Sequence, residues 1–396
     1  VRGVALPFGI RDGRGHFQDW HRAAGIRELR QPHRGGLDFS ARGLFHIVAL
    51  KKIMPSYQYS DKDMNPKPKM NLRTFSTSDR QVSEIGLGCW QLGGADWGAI
   101  DDEKAFEILA TAMDSGITFF DTADVYGAGR SEELIGRFLK QNPSEVFVAT
   151  KLGRTPELFP NGYTEAAMRN ATENSLRRLG VDALDLTQLH CIPTAVIRRG
   201  EVFDWLRRLQ QEGKIQRFGA SVESDEEALI CLQHEGLASL QIIFNVLRQK
   251  PAFHVLEEAR KRGVAIIVRL PLASGVLSGK MTLTTQFPEK DHRNYNRDGA
   301  AFNVGETFAG IPYDKAVELC DELKAYLPPG LTLAQMAQRW ILDYPAVTTV
   351  ITGASKQTQA QENAAVSALT PLTGDLHERL RHFYDESVAH HIRGAY

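Results

Sequence analysis

"FFDTADVYGAGRSEELIGRFLK", Phe119 to Lys140, starts as an apolar run and ends as an amphipathic one. Two aromatics lead into Asp121, Tyr126 follows five positions later, and a Gly-rich turn precedes the second half. A short apolar run, turn residues and then a helix-period segment make a βα unit. The unit is unusual in carrying a carboxylate and a phenol on the loop that leaves the strand.

The same unit recurs outward from this stretch. Eight short β-branched or aromatic-rich runs follow Met70: "EIGLGC", "ITFFDT", "VFVATK", "LDLTQLH", "IQRFGAS", "LQIIFN", "VAIIVRL" and "TTVIT". Each suits a strand buried on both faces. Helical segments lie between them. In "DDEKAFEILATAMDSG" the residues Phe106, Leu109 and Met113 share one face, with acids at the start and Gly116 at the stop. "SDEEALICLQHEG" opens with a capping box, Ser224 to Glu227, and ends in Gly. "TEAAMRNATENSLRRLG" and "DKAVELCDELKAYL" read the same way.

Eight strands alternating with helices predict an α/β fold, a (β/α)₈ TIM barrel, for which ~250 residues is typical. "MNLRTFSTSDRQVSE" reads as an N-terminal hairpin, and "TGDLHERLRHFYDESVAHH" as an extra helix at the C-terminus. A doubly wound open sheet is the runner-up. Its dinucleotide-binding form needs GxGxxG after the first strand. Gly86 and Gly88 are followed by Gln91, and Gly127 and Gly129 by Glu132, so the third glycine is missing twice. A polar, Gly-rich stretch, 276–310, follows the seventh strand, and loops that long are usually functional lids or disordered.

Composition narrows the function class. The 396 residues are 42% apolar and 24% charged with net charge −1, enough for a full core and short of the basic surface a nucleic-acid protein needs. No run approaches the ~20 apolar residues of a membrane-spanning helix. Cys89, Cys191, Cys231 and Cys320 are scattered, without CxxC spacing, which points to a reducing, cytoplasmic setting and no metal site. Residues 1–69 differ from the rest, with 13 Lys/Arg against 6 Asp/Glu and many Gly and His. A disordered basic arm and an Arg-rich transit peptide both compete here. The favoured reading is an extension upstream of the true first residue, Met70, leaving 70–396 as the barrel domain.

Barrel enzymes place their chemistry at the C-terminal ends of strands. Those ends read Gly88-Cys89-Trp90, Asp121 with Tyr126, Lys151, His190, Ser221, Gln241 with Asn245, Arg269 and Gly353. Taken singly, Asp121 is a turn residue, Tyr126 a wall, Lys151 solvated and His190 a core histidine. Together they offer an acid, a phenol, an amine and an imidazole to one opening. A phenol with a pKa near ~10 is a reluctant proton donor, and an adjacent ammonium is expected to lower that value. Such a donor fits a carbonyl oxygen that gains a proton as hydride reaches its carbon.

The motifs "EIGLGCWQLGG", "FFDTADVYGAGRSEELIG", "FVATKLG", "LDLTQLHCIP", "FGASVE", "RLPLASGVLSGK" and "ITGASKQTQAQEN" resemble those of the aldo-keto reductases, bacterial members most. The resemblance runs from Met70 to the C-terminus. It implies a barrel that binds NADPH, less often NADH, and reduces aldehydes or ketones. Asp121, Tyr126, Lys151 and His190 would form the catalytic tetrad, with Tyr126 the general acid. Cofactor contacts would come from Gly88, Cys89, Trp90, Ser221, Gln241, Arg269, Leu272, Ser274, Gly275, Leu277 and Lys280. Gly353, Ser355, Lys356, Gln359 and Asn363 would hold the adenosine 2′-phosphate end, where a helix N-terminus favours an anion. The implied partner is a small carbonyl compound, with the protein a monomer or weak homo-oligomer.

Two departures stand out. Arg269 occupies a position where many relatives stack an aromatic on the nicotinamide; a guanidinium can stack too, and its charge is expected to disfavour NAD(P)⁺. Lys356 is the lone cation in the phosphate run. Two rival functions are a catalytically quiet, NADPH-sensing subunit like those that resemble channel β-subunits, and a Schiff-base aldolase using Lys151, which would need that lysine unpaired. Trp90, Trp97, Phe159 and Tyr163 are candidate pocket walls.

Overall fold

The eight apolar runs become eight parallel strands because each is flanked by turn residues and followed by a helix that covers its outer face. The computed structural model describes residues 69–78, 80–94, 96–98 and 100–396. The expectation for the N-terminal extension therefore falls outside the described residues, apart from Lys69. A hairpin comes first, β1 (Leu72–Thr74) paired antiparallel with β2 (Gln81–Ser83). The barrel strands are β3 (Ile85–Gly88), β4 (Phe119–Asp121), β5 (Phe147–Leu152), β6 (Leu186–His190), β7 (Phe218–Ser221), β8 (Leu237–Ile243), β9 (Ala265–Arg269) and β10 (Val347–Gly353). They run in sequence order and close where β10 pairs with β3.

Side chains alternate across a strand, and that period fixes what points inward. On β4, Phe119 joins the cluster inside the barrel while Phe120 packs outward against the helices. On β5, Phe147 and Ala149 face in and Val148 faces out. Continuing the alternation turns Asp121, Lys151 and His190 inward toward the C-terminal ends of their strands. The register is staggered, as in a tilted barrel: Asp121 opposes Ala149, Lys151 opposes Gln188 and His190 opposes Ser221. The polar layer sits at the C-terminal ends because the lower layer is filled with Phe119, Phe147, Leu186, Ile267 and Ile351.

The hairpin seals the lower end. Phe75 lies wholly buried, its ring 4.7 Å from that of Phe147 and 6.1 Å from that of Phe119. Arg73 fastens it, donating from Nη1 to the Val347 carbonyl at 2.5 Å, from Nη2 to the Leu342 carbonyl at 2.6 Å and from Nε to Glu84 at 2.9 Å.

The helices follow the expected segments with three local differences. Helix α1 (Asp102–Asp114) is capped by Asp101, but its deepest residues are Ala105, Ile108, Leu109 and Ala112. Phe106 and Met113 are half-buried on its flank, Phe106 meeting Phe138 of α2 (Arg130–Gln141) at 5.8 Å. Helix α3 (Glu165–Leu179) starts at the Thr164 cap and stops at left-handed Gly180, as read. Helix α4 (Asp225–Cys231) ends five residues before Gly236, and only half of its capping box forms. Ser224 accepts from the Glu227 amide, whereas the Glu227 carboxylate turns to the Glu223 amide and to the Thr194 hydroxyl. The C-terminal helix, α5 (Gly374–Phe383), is present with Thr373 as its cap.

Replacing Phe75 with Ala opens a void under the lowest aromatic layer, a change that typically costs about 3–5 kcal/mol. Urea unfolding of Phe75→Ala is expected to show a midpoint lowered accordingly, with the pocket at the opposite end of the barrel unaltered.

Candidate active site

The βα loop after β4 aims Tyr126 back over the barrel mouth. Its turn depends on a backbone-to-backbone approach: a Cβ on Gly127, which sits at φ +60°, would lie 2.3 Å from the Gly93 carbonyl oxygen. The Thr122 hydroxyl donates to Ser131 Oγ at 2.9 Å, and Ser131 donates in turn to the Cys89 carbonyl at 2.8 Å, so the loop is pinned at both ends.

Lys151 lies at the centre. Its ammonium is buried and donates three hydrogen bonds: to Asp121 Oδ1 at 2.5 Å, to the Thr122 carbonyl at 2.8 Å and to Tyr126 Oη at 3.1 Å. An ammonium has three donors, so none remains. Burial works against its charge, but the Asp121 carboxylate and the Tyr126 phenol more than offset burial and hold its pKa above that of an ordinary lysine. Asp121 is held in turn by Gln241 Nε2 at 2.7 Å and Gln188 Nε2 at 3.5 Å. A lysine so committed is not the free amine that a Schiff base requires.

Because Tyr126 accepts from Lys151, its own O–H is directed elsewhere. Trp90 stacks on the ring at 5.8 Å, and His190 meets it edge-on at 5.8 Å. The phenol is pushed up to about 12: burial raises it, and the pull of Lys151 is the smaller effect. Lys151 does pull the phenol down as expected, but burial outweighs it and the Asp121 carboxylate adds to the rise, so no net lowering results. His190 is held well below the ordinary histidine value by burial and by the nearby charges of Lys151, Arg154 and Arg269. It is a neutral imidazole, and its Nδ1 is buried without a hydrogen-bond partner.

Asp121, Tyr126, His190 and Trp90 floor a cavity of about 930 Å³, with Lys151 outside its lining, and the cavity continues along the loop after β9 to the start of the helix Gln357–Ala365. Of the sequence-derived cofactor residues, Gly88, Trp90, Ser221, Gln241, Arg269, Leu272, Ser274, Gly275, Lys280, Gly353, Ser355, Gln359 and Asn363 line it. Three do not. Cys89 is core, with its amide bonded to the Asp121 carbonyl, and Leu277 is buried beneath the loop. Lys356 is the N-cap residue of that last helix. The Ser355 amide is already satisfied by Gln359 Oε1 at 2.8 Å, so the anion-ready helix start is partly self-occupied. Trp97 and Phe159 line the cavity, while Tyr163 is buried and donates to the Gly153 carbonyl. Asn245 stays in the fold, donating to the Leu270 carbonyl.

Several participants were not singled out in the sequence. The stretch 276–310 contributes Arg293, Tyr295, Phe302 and Glu306 to the cavity wall. Asp96 anchors it, accepting from Tyr295 Oη at 2.7 Å and from Trp90 Nε1 at 3.0 Å. Glu306 pairs with Arg269 at 3.2 Å, and Arg269 also donates to the Val222 carbonyl at 3.0 Å. The charge expected to bear on a nicotinamide is thus answered in place by Glu306. Cys191 Sγ, Glu223 and Glu306 offer ligand atoms within 4.8 Å of one another, but Arg269 already holds the Glu306 carboxylate, and burial pushes the thiol up to about 12.

The cavity runs from Tyr126 past the bend where Ala273, Ser274 and Gly275 all take positive φ, the Ala273 and Gly275 amides being held there by the Leu270 and Leu272 carbonyls. The family model of the aldo/keto reductase family matches residues 84–385. This chain belongs to the aldo/keto reductase family.

Among its relatives, aldo-keto reductase YhdN of Bacillus subtilis is 31% identical over 310 residues, covering 77% of this chain and 89% of YhdN. The glycerol dehydrogenase AKR11B4 from Gluconobacter oxydans superposes with a TM-score of 0.66 at 29% identity, covering 84% of this chain and 99% of that one. The aldo-keto reductase from Klebsiella pneumoniae in complex with NADPH gives a TM-score of 0.59 at 25% identity, covering 80% and 95%. This aldo-keto reductase is accordingly an oxidoreductase on an eight-stranded closed barrel.

One further group in this reductase titrates out of the ordinary. Asp124, between Asp121 and Tyr126 in sequence, has both carboxylate oxygens buried without a well-formed hydrogen bond. Burial and the neighbouring Glu132 carboxylate push its pKa up to about 7. A folded-state value above the unfolded one gives stability that is present at low pH and lost as pH rises toward the folded pKa. Asp124→Asn removes that loss. Its melting temperature relative to wild type is expected to rise from about pH 4 to about pH 7 and then level off, measured by thermal scans across that range.

Proposed function

We propose that this protein reduces aldehydes or ketones to alcohols with NADPH, with Tyr126 as the general acid. The observation that carries this reading is the three-way commitment of Lys151 to Asp121, the Thr122 carbonyl and Tyr126. When bound, the cofactor supplies the hydride; the chain supplies position and proton. Tyr126 donates its proton to the carbonyl oxygen. The phenolate that forms is stabilised at once by the Lys151 ammonium 3.1 Å away, a preorganised charge in a water-poor site. His190 stays neutral and orients the carbonyl by hydrogen bonding.

The residues lining the cavity fit the cofactor chemically. Ser221 and Gln241 lie beside Asp121, with Ser221 donating to Gln241 Oε1 at 3.4 Å, and offer amide-recognising groups next to the acid. The bend at Ala273–Gly275 and Lys280 suit the pyrophosphate, and Gly353, Ser355, Gln359 and Asn363 suit the adenosine. NADPH is favoured over NADH by the NADPH complex of the Klebsiella relative. The substrate is a small carbonyl compound admitted past Trp90, Trp97 and Phe302.

The pH behaviour follows from the same groups. Reduction needs a protonated Tyr126 and a neutral His190, and with values near about 12 and well below 6.5 both hold across neutrality. The rate of reduction is expected to be flat from about pH 7 to about pH 9, while alcohol oxidation, which needs the phenolate, rises with pH throughout.

Tyr126→Phe is expected to lower kcat for a neutral aromatic aldehyde by about 10²–10⁴ while the dissociation constant for NADPH, read by nucleotide fluorescence, stays put. NADPH binding without turnover in the wild type would instead indicate a cofactor-sensing subunit. Loss of NADPH binding as well would overturn the cofactor assignment.

A further inference from the structure

Three guanidinium groups line the cavity: Arg293 is paired through Nε and Nη2 with Asp291, and the other two differ in status. Arg269 is largely committed to the fold: its Nη2 donates to the Val222 carbonyl and Cys191 Sγ and its Nη1 pairs with Glu306, leaving its buried Nε without a partner. Arg154, three residues beyond Lys151 at the end of β5, lines the same cavity and makes no hydrogen bond to any described residue. Its nearest acids, Glu223 and Glu306, stand 4.0 Å away, beyond hydrogen-bond range, and Phe159 lies 5.2 Å from its guanidinium carbon.

Arg154 is nevertheless held in place. The Tyr163 hydroxyl fixes the carbonyl of the preceding Gly153 at 2.8 Å, and the Phe159 ring supports the guanidinium. Its charge is felt at His190, whose basicity it helps to depress. Five N–H donors in a planar fork, supported from below and facing a cavity beside the carbonyl-orienting imidazole, form half of a bidentate carboxylate site.

We propose that Arg154 is a specificity-determining residue that binds a carboxylate on the substrate, so that the natural substrates are aldehydes or ketones carrying an acid group at the end remote from the carbonyl. The proposal rests on the reductase reading above. The surrounding charges agree with it. Glu306 is drawn to Arg269 at 3.2 Å and leaves Arg154 the weaker partner, and burial with the Glu306 charge pushes the Glu223 carboxyl up from its ordinary range. The positive charge on Arg154 is therefore only loosely balanced. The aromatic walls Trp90, Trp97 and Phe302 would cover the apolar middle of such a substrate.

The test compares 4-carboxybenzaldehyde with 4-methylbenzaldehyde, whose para substituent, like a carboxylate, changes the carbonyl activation little but carries no charge. Wild type is expected to show kcat/KM at least about tenfold higher for the acid, the scale of a charge-assisted hydrogen bond. In Arg154→Gln the ratio should fall toward one through a raised KM for the acid, and Arg154→Lys, a cation without the fork, should fall between. Turnover of both compounds with a wild-type ratio of one or less, or a ratio that Arg154→Gln leaves unchanged, overturns the proposal and leaves the reductase reading standing. If neither is reduced, the reductase reading fails and binding decides: quenching of tryptophan fluorescence by benzoate but not benzamide, lost in Arg154→Gln, supports the anion site, and equal quenching overturns it.

Discussion

A lysine ammonium inside a barrel must be answered on every side, and the upper layer of this molecule is arranged around that demand. Lys151 donates to Asp121, to a backbone carbonyl and to Tyr126, and each acceptor is held by something else. Asp121 is fixed by Gln241 and Gln188. Thr122 is fixed by its amide, which donates to the Ala149 carbonyl, and by its hydroxyl, which donates to Ser131. Breaking such a buried pair by removing one partner typically costs about 3–5 kcal/mol, because the other charge is left uncompensated. The ion pair thus gives specificity of arrangement rather than net stability: it admits one geometry, and that geometry places a phenol over the mouth.

Much of this was legible because a barrel strand has only two faces. Once Phe119 is inward, Asp121 is inward, and the same period carries Lys151 on β5 and His190 on β6. All eight strands and the sealing hairpin follow from short apolar runs between turn residues. The acid, amine and imidazole stand inward near the C-terminal ends of staggered strands, and the loop after β4 brings the phenol to them. Where one face is buried and the other solvated or packed, sequence period is position.

What escaped the sequence lies where no period exists. Residues 276–310 have no regular pattern, so nothing marked Glu306 as the partner of Arg269 or Tyr295 as the partner of Asp96. Proximity in sequence to a motif misled in the other direction. Cys89 sits between two cavity residues, Gly88 and Trp90, yet faces the core, since adjacent positions take opposite sides. Lys356 belongs to a cofactor-like motif but stands exposed at the start of a helix, outside the cavity lining. The phenol pKa was misjudged because a pairwise view credits Lys151 to Tyr126 and omits the burial that outweighs it.

The two arginines of the mouth show how commitment separates structural charge from functional charge. Both are cations near the same two carboxylates, and neither composition nor net charge distinguishes them. Arg269 has most of its donors engaged, on a carbonyl, a sulfur and Glu306, and its one unpartnered nitrogen, Nε, is buried. Its guanidinium therefore chiefly supports the wall formed by 276–310. Arg154 keeps its donors facing the cavity, with acids at 4.0 Å that attract without satisfying. A donor left unsatisfied beside a binding cavity stays hydrated until something displaces the water, and a planar anion replaces that water with two aligned bonds. On the proposed reading, Tyr126 would protonate a carbonyl, and the unspent guanidinium beside it would decide which end of the molecule enters first.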